Sequence, residues 1–218
     1  MSIKLENISK VFQTRYKELK VLGNINLEIK DRGMLVVFGK SGAGKSTLLN
    51  IIGGMDKPTS GKVTVDGFDL SSLKPIEFAK FRKERIGFIF QSFNLLGNLS
   101  AIDNITLPVI LDMDKNKKID RIMELAKEMG IKERLRHRPG ELSLGEQQRV
   151  AILRGMVNSP GIILADEPTA HLDSENSSGI IEIFKKLNRE QGVSVILVTD
   201  HEGIASKFEE RFTLGTNS

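Results

Sequence analysis

Residues Gly39-Lys40-Ser41-Gly42-Ala43-Gly44-Lys45-Ser46-Thr47 fit the pattern G-x-x-x-x-G-K-[ST], and no other feature restricts the fold of this chain as tightly. Such a loop needs a strand before it and a helix after it. Met34-Leu35-Val36-Val37-Phe38 reads as a buried strand, and Leu48-Leu49-Asn50-Ile51-Ile52 reads as a helix. The glycines let successive backbone N–H groups turn inward around a β-phosphate. Lys45 adds a point charge between β- and γ-phosphates, the Ser46 hydroxyl is a ligand for Mg²⁺, and the helix N-terminus favours the anion. The expectation is a nucleotide-binding α/β protein.

Apolar runs elsewhere extend that frame. Ile3 to Ile8, Asn24 to Ile29 and Lys62 to Asp66 alternate apolar and polar residues, the pattern of an antiparallel sheet with one buried face. Ile86 to Phe90 is a further apolar run, ending at Gln91. Ile119, Ile122, Met123, Ala126 and Met129 fall at helical spacing, with Gly130 as a stop. Two short buried strands follow. Ile162 to Ala165 ends at Asp166-Glu167, and Val193 to Thr199 ends at Asp200-His201; Ile180, Ile181, Phe184 and Leu187 mark a crossover helix between them. Strand, helix, strand predicts a parallel sheet covered on both faces, with ligands beyond the carboxyl ends of its strands. Gln91, Asp166, Glu167, Asp200 and His201 should therefore gather near the phosphate loop.

Composition excludes several classes. There are no cysteines, hence no disulfide framework and no thiolate metal site. Lys4 and Glu6 interrupt any apolar run at the start, so no secretory leader is expected, and no apolar segment is long enough to span a bilayer. These features predict a cytoplasmic chain whose membrane role requires a partner. The balance of 32 basic against 28 acidic residues is mild. Basic clusters at Lys80 to Lys83, Lys115 to Lys118 and Arg134 to Arg138 suit solvated helix faces or proximity to an anionic membrane. No interleaved aromatics accompany them, so no nucleic acid partner is expected.

Leu164-Ala165-Asp166-Glu167-Pro168 has the form of a Walker B segment, in which the Asp holds Mg²⁺ indirectly and the next carboxylate orients or deprotonates a water. Alone, a carboxylate pair after a strand serves equally as a helix cap. Leu142-Ser143-Leu144-Gly145-Glu146-Gln147-Gln148-Arg149, with Ser143 lying 24 residues ahead of Glu167, decides between them. It resembles the signature L-S-G-G-Q/E of ABC-type ATPases. Arg149 to Arg154, Ala165 to Thr169, the D-loop-like His171-Leu172-Asp173 and a Q-loop-like Gln91 match in order and spacing over the whole chain. Gly87 to Gln91 and Asp56 to Gly61 resemble most the branch that serves lipoprotein release and macrolide or antimicrobial-peptide export.

The resemblance implies a P-loop NTPase with a RecA-like parallel core sheet, an N-terminal antiparallel β subdomain and a helical signature subdomain. Its expected bounds are 1–91 and 160–218 for core plus β subdomain, and 92–159 for the helical one. ATP and Mg²⁺ are the implied cofactors. The implied partners are an integral-membrane permease, which would hold the chain at the inner face of the cell membrane, and a second copy or a related ATPase subunit. Residues 39–47 would cradle phosphates, Phe12 would stack on adenine, and Ser46, Gln91 and Asp166 would attend Mg²⁺. Glu167 would be the general base. Ser143, Gly145 and Glu146 would reach the γ-phosphate held by the other subunit. Ser143 with Glu146 also forms a capping box, which puts a helix N-terminus there on local grounds. Read from its own sequence alone, Phe12 fits a core position as well as a stacking one.

Two positions depart from the family pattern. Leu144 replaces the first signature glycine. The family closes the last of these strands with Thr-His-Asp, whereas here the order is Thr199-Asp200-His201, which puts Asp200 in the switch-histidine position. A carboxylate cannot donate to phosphate unless protonated. His201 then serves either as a displaced switch or as an exposed loop residue. Slow hydrolysis is the expectation. A force-transmitting ATPase without a solute and a degenerate ATP-holding partner are the alternatives. The chain stops soon after Leu214, where relatives of the family often continue with another turn and strand, so a short or trimmed C-terminal edge is expected.

Overall fold

The structure is a computed structural model that describes residues 1–15 and 17–215. β1 (Ile3–Gln13) and β2 (Glu18–Ile29) open the chain as an antiparallel pair. β3 (Met34–Phe38) leads through the glycine loop into α1 (Lys45–Ile52). β4 (Ser60–Val65), β5 (Phe68–Asp69) and α2 (Pro75–Arg85) follow, then β6 (Ile86–Ile89). A helical stretch contains α3 (Ala101–Thr106), α4 (Lys115–Glu128) and α5 (Leu144–Met156). β7 (Ile162–Asp166), α6 (Ser174–Gln191), β8 (Ser194–Thr199), α7 (Glu202–Ala205) and β9 (Glu210–Thr213) complete the described chain.

The strands form two sheets. One is antiparallel, in the order β2-β1-β4-β5; the other has five strands in the order β6-β7-β8-β3-β9, parallel throughout. Side-chain alternation along the parallel strands divides the interior in two. Val36, Ile163, Ala165, Val195 and Leu197 point to the face covered by α3 to α6. Leu35, Val37, Ile162, Leu164, Ile196 and Val198 point to the opposite face, where α1 and the antiparallel sheet lie. The same alternation therefore locks the register of both layers, because a slip of one residue would exchange the two cores. The edge strand β9 pairs with β3, Leu35 opposite Glu210 through Phe38 opposite Thr213.

The expected elements are present, and β1 and β2 run further than their buried alternation. They continue past it as a ribbon in which Phe12 pairs with Leu19, with register shifts between Leu5 and Ile8, Ile8 and Lys10, and Lys10 and Val11. α2 carries Lys80 to Lys83 and buries none of its residues, which is why no apolar stripe announces it in the sequence. Among the described residues no helix is long and apolar enough to cross a membrane.

Candidate functional site

The carboxyl ends of β3, β6, β7 and β8 converge on one side of the parallel sheet, and the phosphate loop leaves β3, which lies between β8 and the edge strand β9. Gly42 and Gly44 take positive φ, 80° and 94°. A Cβ on Gly44 would also stand 2.9 Å from the side chains of Val21 and Leu22. Gly44 is the N-cap of α1 and contributes no side chain, so the first-turn N–H groups of the helix have no side-chain cap. This is an anion cradle by construction. Lys45 is buried, only 6% exposed. Its Nζ donates to the carbonyls of Gly39 and Lys40, at 2.9 and 3.2 Å, and pairs with Glu167 Oε1 at 3.1 Å.

The carboxylates close the cradle from β7. Ser46 Oγ donates to Asp166 Oδ1 at 2.9 Å. Burial pushes the Asp166 carboxyl above its ordinary range, against the Ser46 bond and the Lys45 charge. Glu167 sits at φ 44°, a left-handed conformation uncommon for a side-chain-bearing residue. Its N–H is held by the Val198 carbonyl at 3.1 Å, and its Oε2 accepts from the Asp200 N–H at 3.3 Å. Burial is the largest cause raising the Glu167 pKa; Lys45 opposes it and the Asp200 charge adds to it. A largely buried carboxyl with a raised pKa and one cationic neighbour suits a general base.

A cavity of about 310 Å³ lies over the loop, lined by residues 41–47 except Ala43, together with Val21, Gln91, Glu167 and Asp200. A larger one of about 600 Å³ adjoins it, shares Gln91, Glu167, Ala170 and Asp200, and extends to His171 and His201. Asp200 thus faces the phosphate loop, while His201 lines only the outer cavity, its backbone N–H donating to Thr199 Oγ1 at 3.1 Å. Phe12 is 39% exposed, with Lys10 Nζ over its ring at 4.8 Å. It stands on the β1–β2 ribbon and not in the core. Val21 was not evident as a lining residue in the sequence. It reaches the cavity because the β2 strand passes over Gly44, a contact no local pattern encodes.

Ser143 begins a separate surface. It is the N-cap of α5: the Glu146 N–H donates to its Oγ at 3.3 Å, and its own N–H donates to Glu146 Oε2 at 2.8 Å. The backbone bond from Ser143, with Arg134 Nε at 3.1 Å on the other oxygen, holds the Glu146 carboxyl below its ordinary range. Gly145 is buried, and a Cβ there would lie 2.6 Å from Asn176 Oδ1 at the start of α6. Leu144 is 48% exposed. Ser143, Gly145 and Glu146 line neither cavity around the phosphate loop.

Sheet order and cradle define a P-loop nucleotide-binding protein. The family follows from comparison: a family model described as ABC transporter matches residues 22–170, and the chain belongs to that family. It is 44% identical over 214 residues to the ABC transporter ATP-binding protein MJ0796 of Methanocaldococcus jannaschii, covering 96% of this chain and 91% of that protein. It is also 44% identical over 204 residues to YvrO of Bacillus subtilis, covering 93% of this chain and 89% of that protein. The macrolide export ATP-binding/permease protein MacB of Psychrobacter arcticus is 40% identical over 208 residues; these are 95% of this chain and 31% of MacB. The fold matches a dimeric structure of MJ0796, a bacterial ABC transporter cassette, with a TM-score of 0.89 and 41% identity over 98% of this chain and 94% of that one. A dimeric post-hydrolysis structure of MJ0796 bound to ADP and Pi matches with a TM-score of 0.86 and 38% identity over 99% and 97% of the two chains.

Proposed function

We propose that this chain is the ATP-binding and ATP-hydrolysing subunit of an exporter, acting on a separate membrane permease that moves a lipoprotein, peptide or drug. The observation that carries the proposal is the divided site. The phosphate loop and Glu167 surround one cavity, whereas Ser143 to Glu146 form a capped helix N-terminus that lines none of it. A second copy, or a related subunit, would supply that helix end to the γ-phosphate, and two ATPs would close a head-to-tail dimer. The dimeric likeness to MJ0796 supports this arrangement, and the ATP-binding/permease architecture named for MacB supports a permease partner. That partner would hold the chain at the inner face of the membrane. Residues 92–159 would form the signature-bearing helical subdomain, with 1–91 and 160–218 as core and β subdomain.

The residues around the cradle fit both cofactors. Backbone N–H groups at the uncapped start of α1 and the buried Lys45 suit a polyphosphate, and the exposed Phe12 offers a stacking face for adenine. Ser46, Asp166 and Gln91 are hard oxygen ligands at the same edge, few enough to leave Mg²⁺ its waters and phosphate oxygens. Bound there, Mg²⁺ would neutralise charge developing on the transferred phosphoryl group. Glu167 would take the proton of the attacking water, and Lys45 would exchange its Gly39 and Lys40 carbonyl partners for phosphate oxygens.

Asp200, facing the loop where a histidine donor is the family pattern, supports slow turnover. It also favours a second reading, in which this subunit holds ATP while an intact partner hydrolyses it. Glu167→Gln with MgATP in size-exclusion chromatography tests the first reading. A dimer that forms with ATP and not with ADP supports it. A monomer under both conditions overturns the self-sandwich, and a dimer only after addition of a second ATPase subunit selects the other reading.

A further inference from the structure

Directly after Gln91 the chain makes an unusual turn. Phe93 and Asn94 both take left-handed φ, 57° and 51°, although neither is glycine. The Phe93 N–H closes a turn on the Phe90 carbonyl at 3.2 Å. With two consecutive residues in this conformation, the carbonyls of Phe93 and Asn94 become available to one donor group. That group is Arg154. Its Nη2 donates to the Phe93 carbonyl at 2.5 Å and its Nη1 to the Asn94 carbonyl at 2.6 Å. Among the described residues no carboxylate pairs with this half-buried guanidinium.

Arg154 belongs to α5, the helix that Ser143 caps. Its reach is fixed by the neighbouring residue: α5 crosses β6 so closely that a Cβ on Gly87 would stand 2.5 Å from the Gly155 carbonyl. The turn has a third attachment. The Phe93 ring, only 8% exposed, meets the His171 ring edge-on at 6.2 Å, and His171 follows Glu167 by four residues. One two-residue turn thus touches the strand end that presents Gln91, the helix that begins at Ser143 and the segment that follows the expected base.

We propose that Arg154 is a positioning residue, whose guanidinium fork holds the Phe93–Asn94 turn and thereby sets Gln91 relative to the signature helix. Two donors on one planar group fix both carbonyls in a single orientation, whereas a lysine ammonium on a flexible stem is a point donor that holds them less rigidly. The inference rests on the ATPase reading above and concerns how Gln91 is presented, not what it binds.

The test uses Arg154→Lys, which keeps the charge and most of the stem, with Arg154→Gln as a second variant. Hydrogen exchange of the segment 91–97 is measured in the full chain, beside kcat, the KM for MgATP and the binding of a fluorescent ATP analogue. Expected is a roughly tenfold faster exchange in 91–97 with the rest of the sheet unchanged. kcat should fall by roughly tenfold while KM and analogue affinity stay within about twofold. Added to Gln91→Ala, the Arg154→Lys change should lower kcat no further, since both act on one group. Unchanged exchange in a folded variant overturns the proposal, and so does a fully additive double variant. If both Arg154 variants fail to fold, Asn94→Gly, which admits the left-handed turn without strain and keeps the Phe93 ring in place, must leave exchange in 91–97 slow with Arg154 intact; fast exchange there overturns it. A wild-type chain that binds the analogue but does not turn over ATP refutes the ATPase reading instead, and exchange alone then decides the role of Arg154.

Discussion

Asp200→His should accelerate ATP hydrolysis, and its size follows from what the substitution leaves alone. The contact that ties this position to Glu167 is a backbone N–H, 3.3 Å from Oε2, so it survives a change of side chain. Only the carboxylate that faces the phosphate loop is replaced. Asp200 is exposed, so its repulsion of a terminal phosphate is screened nearly as in water, about 1 kcal/mol per charge pair at about 4 Å. A histidine in its place adds a hydrogen bond to a charged acceptor, about 1.5–3 kcal/mol. Together these come to about 2.5–4 kcal/mol if both operate in the transition state, a rise in kcat of roughly 10²- to 10³-fold. The assay is steady-state phosphate release at saturating MgATP, with affinity for a fluorescent analogue measured separately. Raising the salt should narrow the gap only slightly, because the larger share is a hydrogen bond. An unchanged or lower kcat with affinity intact refutes the argument. If wild-type turnover is already fast and His201→Ala abolishes it, the switch is His201 acting from the outer cavity.

Other consequences are as direct. Lys45→Met removes the cation from the cradle and leaves the buried Glu167 without its ion pair; affinity for MgATP should fall by roughly 10- to 150-fold by titration, corresponding to about 1.5–3 kcal/mol. The acid limb of the kcat/KM profile should lie above the ordinary glutamate range, since burial raises Glu167 and the base must be deprotonated; Asp200→Asn should move that limb to lower pH by removing a charge that raises it. Glu146 is held below its ordinary value, so the stability it contributes is present above the unfolded pKa of about 4.3 and is lost as pH falls through the folded value. Chemical denaturation should therefore show Glu146→Gln less stable than wild type at pH 7, with the gap closing at acid pH. Ser143→Ala should cost about 1 kcal/mol through the lost cap, a fall in Tm of about 2–4 °C by calorimetry.

What could be read from the sequence was whatever depends on neighbours along the chain. The glycine loop announces itself because its backbone conformation and its lysine occupy nine consecutive residues, and the Ser143–Glu146 box because both bonds close within one helical turn. The parallel strands were visible as apolar runs, and their closing residues, Gln91, Glu167 and Asp200, do share a cavity. Strand ends in a parallel sheet are brought together by topology alone. Contacts that depend on how two elements cross were not readable. Val21 reaches the cavity only because β2 passes over Gly44, and Arg154 looks like any cation on a helix until β6 and α5 are seen to touch at Gly87 and Gly155. α2 has no buried stripe to signal it. Phe12 was equally consistent with core and surface, and its exposure on an outlying ribbon decides for the surface.

The two departures from the family pattern fall unequally on binding and on chemistry. The cradle is made of backbone N–H groups at an uncapped helix start, two glycines at positive φ and one buried lysine, and neither departure alters any of these. Leu144 is about half exposed while the cap beside it is complete on both sides, so the helix end at Ser143 keeps its geometry with a leucine in that position. Chemistry, by contrast, depends on side chains whose charges must be correct one by one. Asp200 places a carboxylate beside the phosphate loop, on the side where the family pattern has a donor. A site of this kind would retain ATP more readily than it cleaves it. On the proposed sandwich, the departure at position 200 would bear on the lifetime of a nucleotide-bound dimer more than on its formation, and opening would be the step that wild type performs slowly and Asp200→His performs fast.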